Sequence, residues 1–242
     1  MIVRRPAKPK VQSASPVCAI ARSLPSISVP ASAHSPGGFR KWADSDEYPE
    51  HGQVSYIFGE IHIDMNAEAL NAHALAKMEI TRVIGNLVLE CDLGLVFPDG
   101  ALVTNQDADI SNEPDACFVS WKSLESGQIS LVAGVDGEEP QSLLGTVDWV
   151  LEIVSTSSVR KDTILLREGY FRAGVPEYWL VDARGPVIDF RILTRGKGGY
   201  AEQSRRGGWV SSPAFQRRFS LQRRDYRGYW RYELLVAPLG KR

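Results

Sequence analysis

Two apolar runs dominate the pattern of the chain, WVLEIV (149–154) and EYWLVDA (177–183). In the first, Trp149, Leu151 and Ile153 face one way and Val150, Glu152 and Val154 the other. Both faces are apolar, which predicts a central strand covered on both sides. Between the runs, Ser157 or Ser158 caps a helix from about Val159 to Ala173, and Gly174 stops it in a C′ role. Val175-Pro176 then opens the second strand, which continues through a Gly-Pro turn into VIDFRILT. Strand, helix and strand in so few residues predict a right-handed crossover between parallel strands.

Upstream, FRKWADSDEYPEHG is a capped, loop-rich entry, and VSYIF and IHIDM read as two short strands bent at Gly59, with Glu60 at the bend. Ala72, Ala76, Ile80, Val83, Ile84, Leu87 and Val88 recur at helical spacing. They predict an amphipathic helix over Ala69–Glu90, with Asn66 as its N-cap and His73 and Lys77 on its polar face. Leu95–Thr104 reads as one strand kinked at Pro98 and Gly100, with Asp99 as turn chemistry. A polar loop over Asn105–Asn112 follows, then a strand opened by Pro114 and Asp115, since proline is tolerated at a strand's first residue. Ile129–Ala133 is a further strand, and Asp136, Glu138 and Glu139 are solvated charges of the loop after it. The C-terminal part alternates basic and aromatic residues. Trp209, Phe215, Tyr226, Tyr229 and Trp230 either stack on bases or close a core, the commoner fate.

Composition sets the frame. At 242 residues and 43% hydrophobic, the chain supports one sizeable core. Residues 1–38 are rich in Pro, Ala and Ser and are expected to be disordered, with some transit-peptide character; a start upstream of the true domain is the other reading. The domain is expected over 39–242. No apolar run approaches the roughly 20 residues of a spanning helix, so no membrane role is expected. Cys18, Cys91 and Cys117 are widely separated, which fits neither a disulfide framework nor a zinc site and points to the cytoplasm. The net charge of −1 hides an asymmetry: residues 46–183 hold 7 Lys+Arg against 24 Asp+Glu, whereas residues 184–242 hold 14 against 4. A basic tail attracts phosphate and an acidic middle repels it unless cations intervene; alternatively, the two simply neutralise each other.

Glu152 is the anomaly in this pattern. A carboxylate inside an apolar strand must be neutral, paired or bound to a metal, and pairing with an arginine or a backbone cap is the structural reading. Asp115, at the mouth of another apolar strand, changes the balance. Two carboxylates on adjacent strands make an oxygen-rich site suited to Mg²⁺ or Mn²⁺.

PDACFVSW, VLEIVSTSSVRKD and YFRAGVPEYWLVDAR, in that order, resemble the Uma-two family of restriction-endonuclease-like proteins within the PD-(D/E)XK nuclease superfamily. FRKW, GEIHIDM, the His73 helix, DGALVTN and GWVSSPAF extend the likeness from about Phe39 to the C-terminus. The resemblance implies an α/β fold with a restriction-endonuclease-like mixed central sheet flanked by helices. It also implies metal-dependent endonuclease activity on nucleic acid, DNA ahead of RNA, with Asp115 and Glu152 as ligands of Mg²⁺ or Mn²⁺. The superfamily pattern places a lysine two residues beyond the second acid, where this chain has Val154. Relatives carry the lysine on the next helix, but their commonest position, four before Tyr170, is Leu166 here. Lys161 and Arg167 remain, and Lys161 is the expected cationic helper, since arginine cannot act as a base. Through the same resemblance His73 becomes a catalytic candidate, against the usual fate of a lone exposed or capping histidine, and Glu60 a secondary one. A homodimer is expected by analogy. Two other readings stand beside this one: a catalytically inactive metal- or nucleic-acid-binding module, and an enzyme acting on another phosphodiester.

Overall fold

The computed structural model describes residues 27–134, 137 and 139–239. Chain order begins with α1 (Pro36–Ala43), β1 (Gln53–Ile57) and β2 (Glu60–Asp64), then α2 (Leu75–Glu90), entered through a π turn at Leu70–Ala74. Four strands follow, β3 (Gly94–Pro98), β4 (Leu102–Asn105), β5 (Ile110–Asn112) and β6 (Ala116–Ser120), and then the short α3 (Trp121–Glu125). After β7 (Ile129–Ala133), β8 (Pro140–Gly145) and β9 (Trp149–Ile153) comes α4 (Leu166–Arg172), entered through a π turn at Lys161–Leu165. The rest is β10 (Glu177–Asp182), β11 (Asp189–Arg195), β12 (Tyr200–Glu202), β13 (Val210–Ser212), β14 (Arg217–Tyr226) and β15 (Tyr229–Pro238). Among the described residues, no helix is long and apolar enough to cross a membrane.

The fold is mixed α/β, as expected. The central sheet has the order β12-β11-β10-β9-β6-β3, and within it β9 and β10 are parallel while β9 and β6 are antiparallel. All five residues of β9 are buried. Val150 and Val154 face a core shared with the second sheet (β2-β1-β5-β4-β8-β7) and with Leu166 and Tyr170 of α4. Trp149, Leu151 and Ile153 face the other core, closed by Ala76, Ile80, Ile84 and Val88 of α2 and by Phe215, Phe219 and Leu234 of the C-terminal region. The alternation along β9 therefore divides the molecule into its two main cores. Gly174 ends the β9-to-β10 helix at φ 85°, a conformation that carries little penalty only for glycine.

Several expectations are corrected. Leu95–Thr104 is two strands in two sheets, because the Pro98–Gly100 turn carries the chain from one layer to the other. The expected loop over Asn105–Asn112 contains β5, whose Ser111 and Asn112 are buried with their polar groups satisfied by Thr104 and Ser55. Asn66 does not cap α2 but donates to Asp64 Oδ1, and Ala69 stands at the helix entrance. The helix after β9 is capped by Ser155, whose hydroxyl accepts the Ser158 N–H at 3.0 Å while Ser158 Oγ accepts the Ser155 N–H at 2.9 Å. Upstream of Phe39, Ser35 caps α1, and Ile27, Val29 and Ala33 pack with Phe39, Trp42 and Tyr56. Residues 1–26, Asp136 and Glu138 lie outside the described residues.

Candidate active site

β6 and β9 bring Asp115 and Glu152 to one place. Ala116 pairs with Leu151, so Asp115, one residue upstream, falls opposite Glu152. Asp115 Oδ2 accepts the Ile153 N–H at 2.6 Å, which ties the carboxylate across to β9. Both acids are buried, 3% and 4% exposed, and both line a cavity of about 420 Å³. Glu152 is held from behind: its Oε1 accepts the Tyr170 hydroxyl at 2.6 Å and Asn112 Nδ2 at 3.1 Å. Burial, together with the carboxylates of Asp162 and Asp115, pushes the Glu152 carboxyl well above its usual range, against the pull of Lys161. Asp115 goes the other way. Burial raises it, but His73, Lys77 and the Ile153 N–H outweigh burial and hold it below the ordinary value.

Lys161 lines the same cavity from the π turn, with Nζ 3.8 Å from Asp162 Oδ1. Burial disfavours its charge, yet Glu152, Asp162, Asp115 and Asp64 raise its pKa on balance, so the ammonium persists. Burial also lifts the Asp162 carboxyl to about 6. His73 is buried in the cavity wall, with Nε2 3.3 Å from Asp115 Oδ2 and Nδ1 3.3 Å from Glu68 Oε2. Burial opposes its protonation, but these two carboxylates win and raise its pKa. Arg167 is elsewhere, donating to the Tyr200 carbonyl at 3.0 Å. Glu60 is exposed on β2, Val154 is packed in the core, and neither lines the cavity.

Four further contributors escaped the pattern along the chain: Glu68, Lys77, Asp99 and Asp162. Lys77 Nζ lies 2.7 Å from Glu68 Oε1, 2.9 Å from Asp99 Oδ2 and 3.5 Å from Asp115 Oδ1. The available signal was its place one helical turn after His73 on the same face. Asp99 does occupy the turn expected of it, but its carboxylate also serves this cluster. Asp162 follows Lys161 directly and accepts from Ser158.

The donor set fits a hard cation. Ligand atoms of Glu68, His73 and Asp115 lie within 4.8 Å of one another. Asp115 Oδ1 and Asp162 Oδ1 are buried without a hydrogen-bond partner, and Glu152 Oε2 makes no hydrogen bond to the described residues. Acceptors left without donors in a buried cavity are what an oxygen-seeking divalent ion satisfies.

Residues 39–224 match the Uma2 family, described as "Putative restriction endonuclease". Among solved structures, the chain is similar to a crystal structure from Anabaena variabilis described as "a putative nuclease belonging to DUF820". That likeness has a TM-score of 0.56 at 20% identity and covers 75% of this chain and 90% of the other. At that identity it speaks for the fold alone. Comparison with curated proteins finds no match.

Proposed function

The chain belongs to the Uma2 family, and from that premise we propose that it is a metal-dependent endonuclease that hydrolyses phosphodiester bonds in DNA. The observation that carries this reading is the meeting of Asp115, Glu152 and Lys161 in one buried cavity, with acceptor oxygens left unsatisfied. Asp115 and Glu152 are the proposed ligands of Mg²⁺ or Mn²⁺; His73 and Glu68 group with Asp115, whereas Tyr170 and Asn112 are the partners of Glu152. Such an ion, when bound, lowers the pKa of water and draws charge from a phosphoryl oxygen.

The chain's own residues prepare that site. Tyr170 and Asn112 fix one oxygen of Glu152 and so leave Oε2 to face the ligand. The Ile153 N–H and His73 fix Asp115 in the same way. Lys161, kept charged by four carboxylates, is suited to steadying the charge that develops on phosphorus rather than to taking a proton. Its position in the cavity supports reading it as the cation that the strand, with Val154, does not supply.

The test is Mn²⁺-dependent cleavage of plasmid and single-stranded DNA, with Asp115→Ala and Glu152→Ala as controls. The expected result is cleavage by the wild type and loss in both variants. Equal cleavage by all three removes the nuclease reading. A melting temperature raised by Mn²⁺ without any cleavage assigns the fold to metal-binding without catalysis.

A further inference from the structure

The cavity poses an electrostatic difficulty for a phosphodiester substrate. Asp64, Glu68, Asp99, Glu113 and Asp162 line it besides the two proposed ligands, so attraction for a polyanion must come from another surface. The strongest candidate is the tip of the β14–β15 hairpin. Arg224, Arg227 and Arg231 are exposed there, and Tyr226 and Tyr229 are 52% and 75% exposed. We propose that this tip is a nucleic-acid-binding arm, whose arginines take the phosphates and whose Tyr229 stacks on a base of the strand led to the cavity. The inference rests on the nuclease reading of that cavity.

Its position supports the role. Arg223 donates to the carbonyls of Ala183, Gly185 and Pro186 at 2.7, 2.6 and 3.0 Å. This loop leaves the end of β10 beside the end of β9, because the Val154 N–H donates to the Val181 carbonyl. From the same loop Arg184 reaches the carbonyl of Ser155, a cavity residue, at 3.3 Å. On the other side, the Leu234 N–H of β15 donates to Glu79 of α2, the helix that also carries Lys77. The hairpin is thus tied to the loop after β10, which contacts Ser155 of the cavity, and to α2, which continues the turn carrying His73, and its tip lies about 10 Å further along the strand than Arg223.

Two features of the tip bear on this role. Apolar demand is met lower down, where Phe219, Tyr232 and Leu234 are buried, so the tip aromatics add nothing to the core. The two-residue turn is Arg227-Gly228, with φ 58° and 82°. Asparagine or glycine suits the first of these places, and arginine there costs about 1 kcal/mol. Within the turn the Arg227 guanidinium lies over the Tyr226 ring, 5.4 Å from its centroid, a contact worth about 0.5–1 kcal/mol at an exposed site that still leaves the charge open to a phosphate. The Uma2 match ends at residue 224, so Tyr226, Arg227, Tyr229 and Arg231 lie beyond the part of the chain that the family model matches.

The experiment is fluorescence anisotropy in EDTA, which separates binding from cleavage, with a labelled DNA oligonucleotide presented single-stranded and as its duplex. For the triple variant Arg224→Gln, Arg227→Asn, Arg231→Gln, the slope of log affinity against log salt on duplex falls by about 2.7, the share of three phosphate contacts. Tyr229→Ala weakens single-strand binding roughly tenfold. Arg227→Asn binds more weakly while melting no lower than the wild type, which rules out misfolding as the cause. Mn²⁺-dependent hydrolysis of bis(p-nitrophenyl) phosphate, a diester too small to reach the tip, is unchanged in all three. If the wild type binds DNA and the triple variant binds it equally well, the arm is refuted and the nuclease reading stands. If the wild type binds neither form in EDTA, the arm is refuted, and Mn²⁺-dependent cleavage decides the nuclease reading separately. Unchanged DNA binding with a loss of mass in light scattering assigns the tip to contact between copies of the chain and also overturns the arm.

Discussion

Lys161 shows how much depends on one side chain. Along the sequence it was one of two cations left after Val154 and Leu166 were set aside; in the fold it shares a cavity with Asp115 and Glu152, whereas Arg167 turns to a distant carbonyl. Lys161→Met is expected to lower kcat for DNA cleavage about a hundredfold or more, the usual effect of removing one preorganised charge stabiliser. If Mn²⁺ raises the melting temperature of the wild type, it should do so equally in this variant, because the proposed ligands remain. Asp115→Ala should lose both, and calorimetric titration with Mn²⁺ alongside a plasmid assay distinguishes the two outcomes. Lys77 carries a separate prediction. Lys77→Met leaves Asp115, Asp99 and Glu68 facing one another without their shared cation, and is expected to destabilise the protein by about 3 kcal/mol in urea unfolding. Added Mn²⁺ should recover part of that loss if a divalent ion can replace the ammonium.

Elements are held in place by a few unusual contacts. Glu177 of β10 is buried, yet it accepts the Trp179 indole N–H at 2.6 Å, the Ser212 hydroxyl at 2.5 Å and the Ala214 N–H at 3.0 Å. It therefore ties the central sheet to β13 and the turn after it. Glu177→Ala strands three donors and is expected to cost about 3 kcal/mol in urea unfolding, without touching the cavity. Gly174→Ala is a milder case. The added Cβ would stand 3.6 Å from Thr146, an ordinary contact, so the cost is that of a positive φ, about 1 kcal/mol. The strands and helices around β9 were legible because period and capping residues are local signals. β5 was not legible, since Ile110-Ser111-Asn112 is short and polar, and beyond its hairpin partner β4 it is buried by Ser55 and Tyr170, both more than fifty residues away in sequence.

At the scale of the molecule, the domain's boundary and its charge are the open quantities. Ile27, Val29 and Ala33 pack against the α1–β1 cluster, and Ser35 caps α1. A chain beginning at residue 27 is expected to melt with the full-length protein. One beginning at residue 39 loses that packing and the cap and is expected to be less stable by about 3 kcal/mol, measured by differential scanning calorimetry. Equal melting of the two would support the boundary expected at Phe39. The contrast between an acidic middle and a basic C-terminal part was visible as composition, but composition could not tell mutual neutralisation from two separate surfaces. In the fold the acids gather in the cavity while arginines stand on the hairpin tip.

The sequence by itself determined the two-faced strand carrying Glu152, the helix-linked parallel pair around it, and the residue types able to bind a hard cation. These follow from periodicity and from the penalty of burying charge, both of which operate over a few neighbouring residues. Tertiary structure alone decided that Asp115 lies opposite Glu152, that Lys161 rather than Arg167 enters the cavity, and that Glu68, Asp99 and Asp162 line it, with Lys77 paired to two of them. Those outcomes depend on register and layer packing, which bring together groups from opposite ends of the domain and which no local pattern encodes.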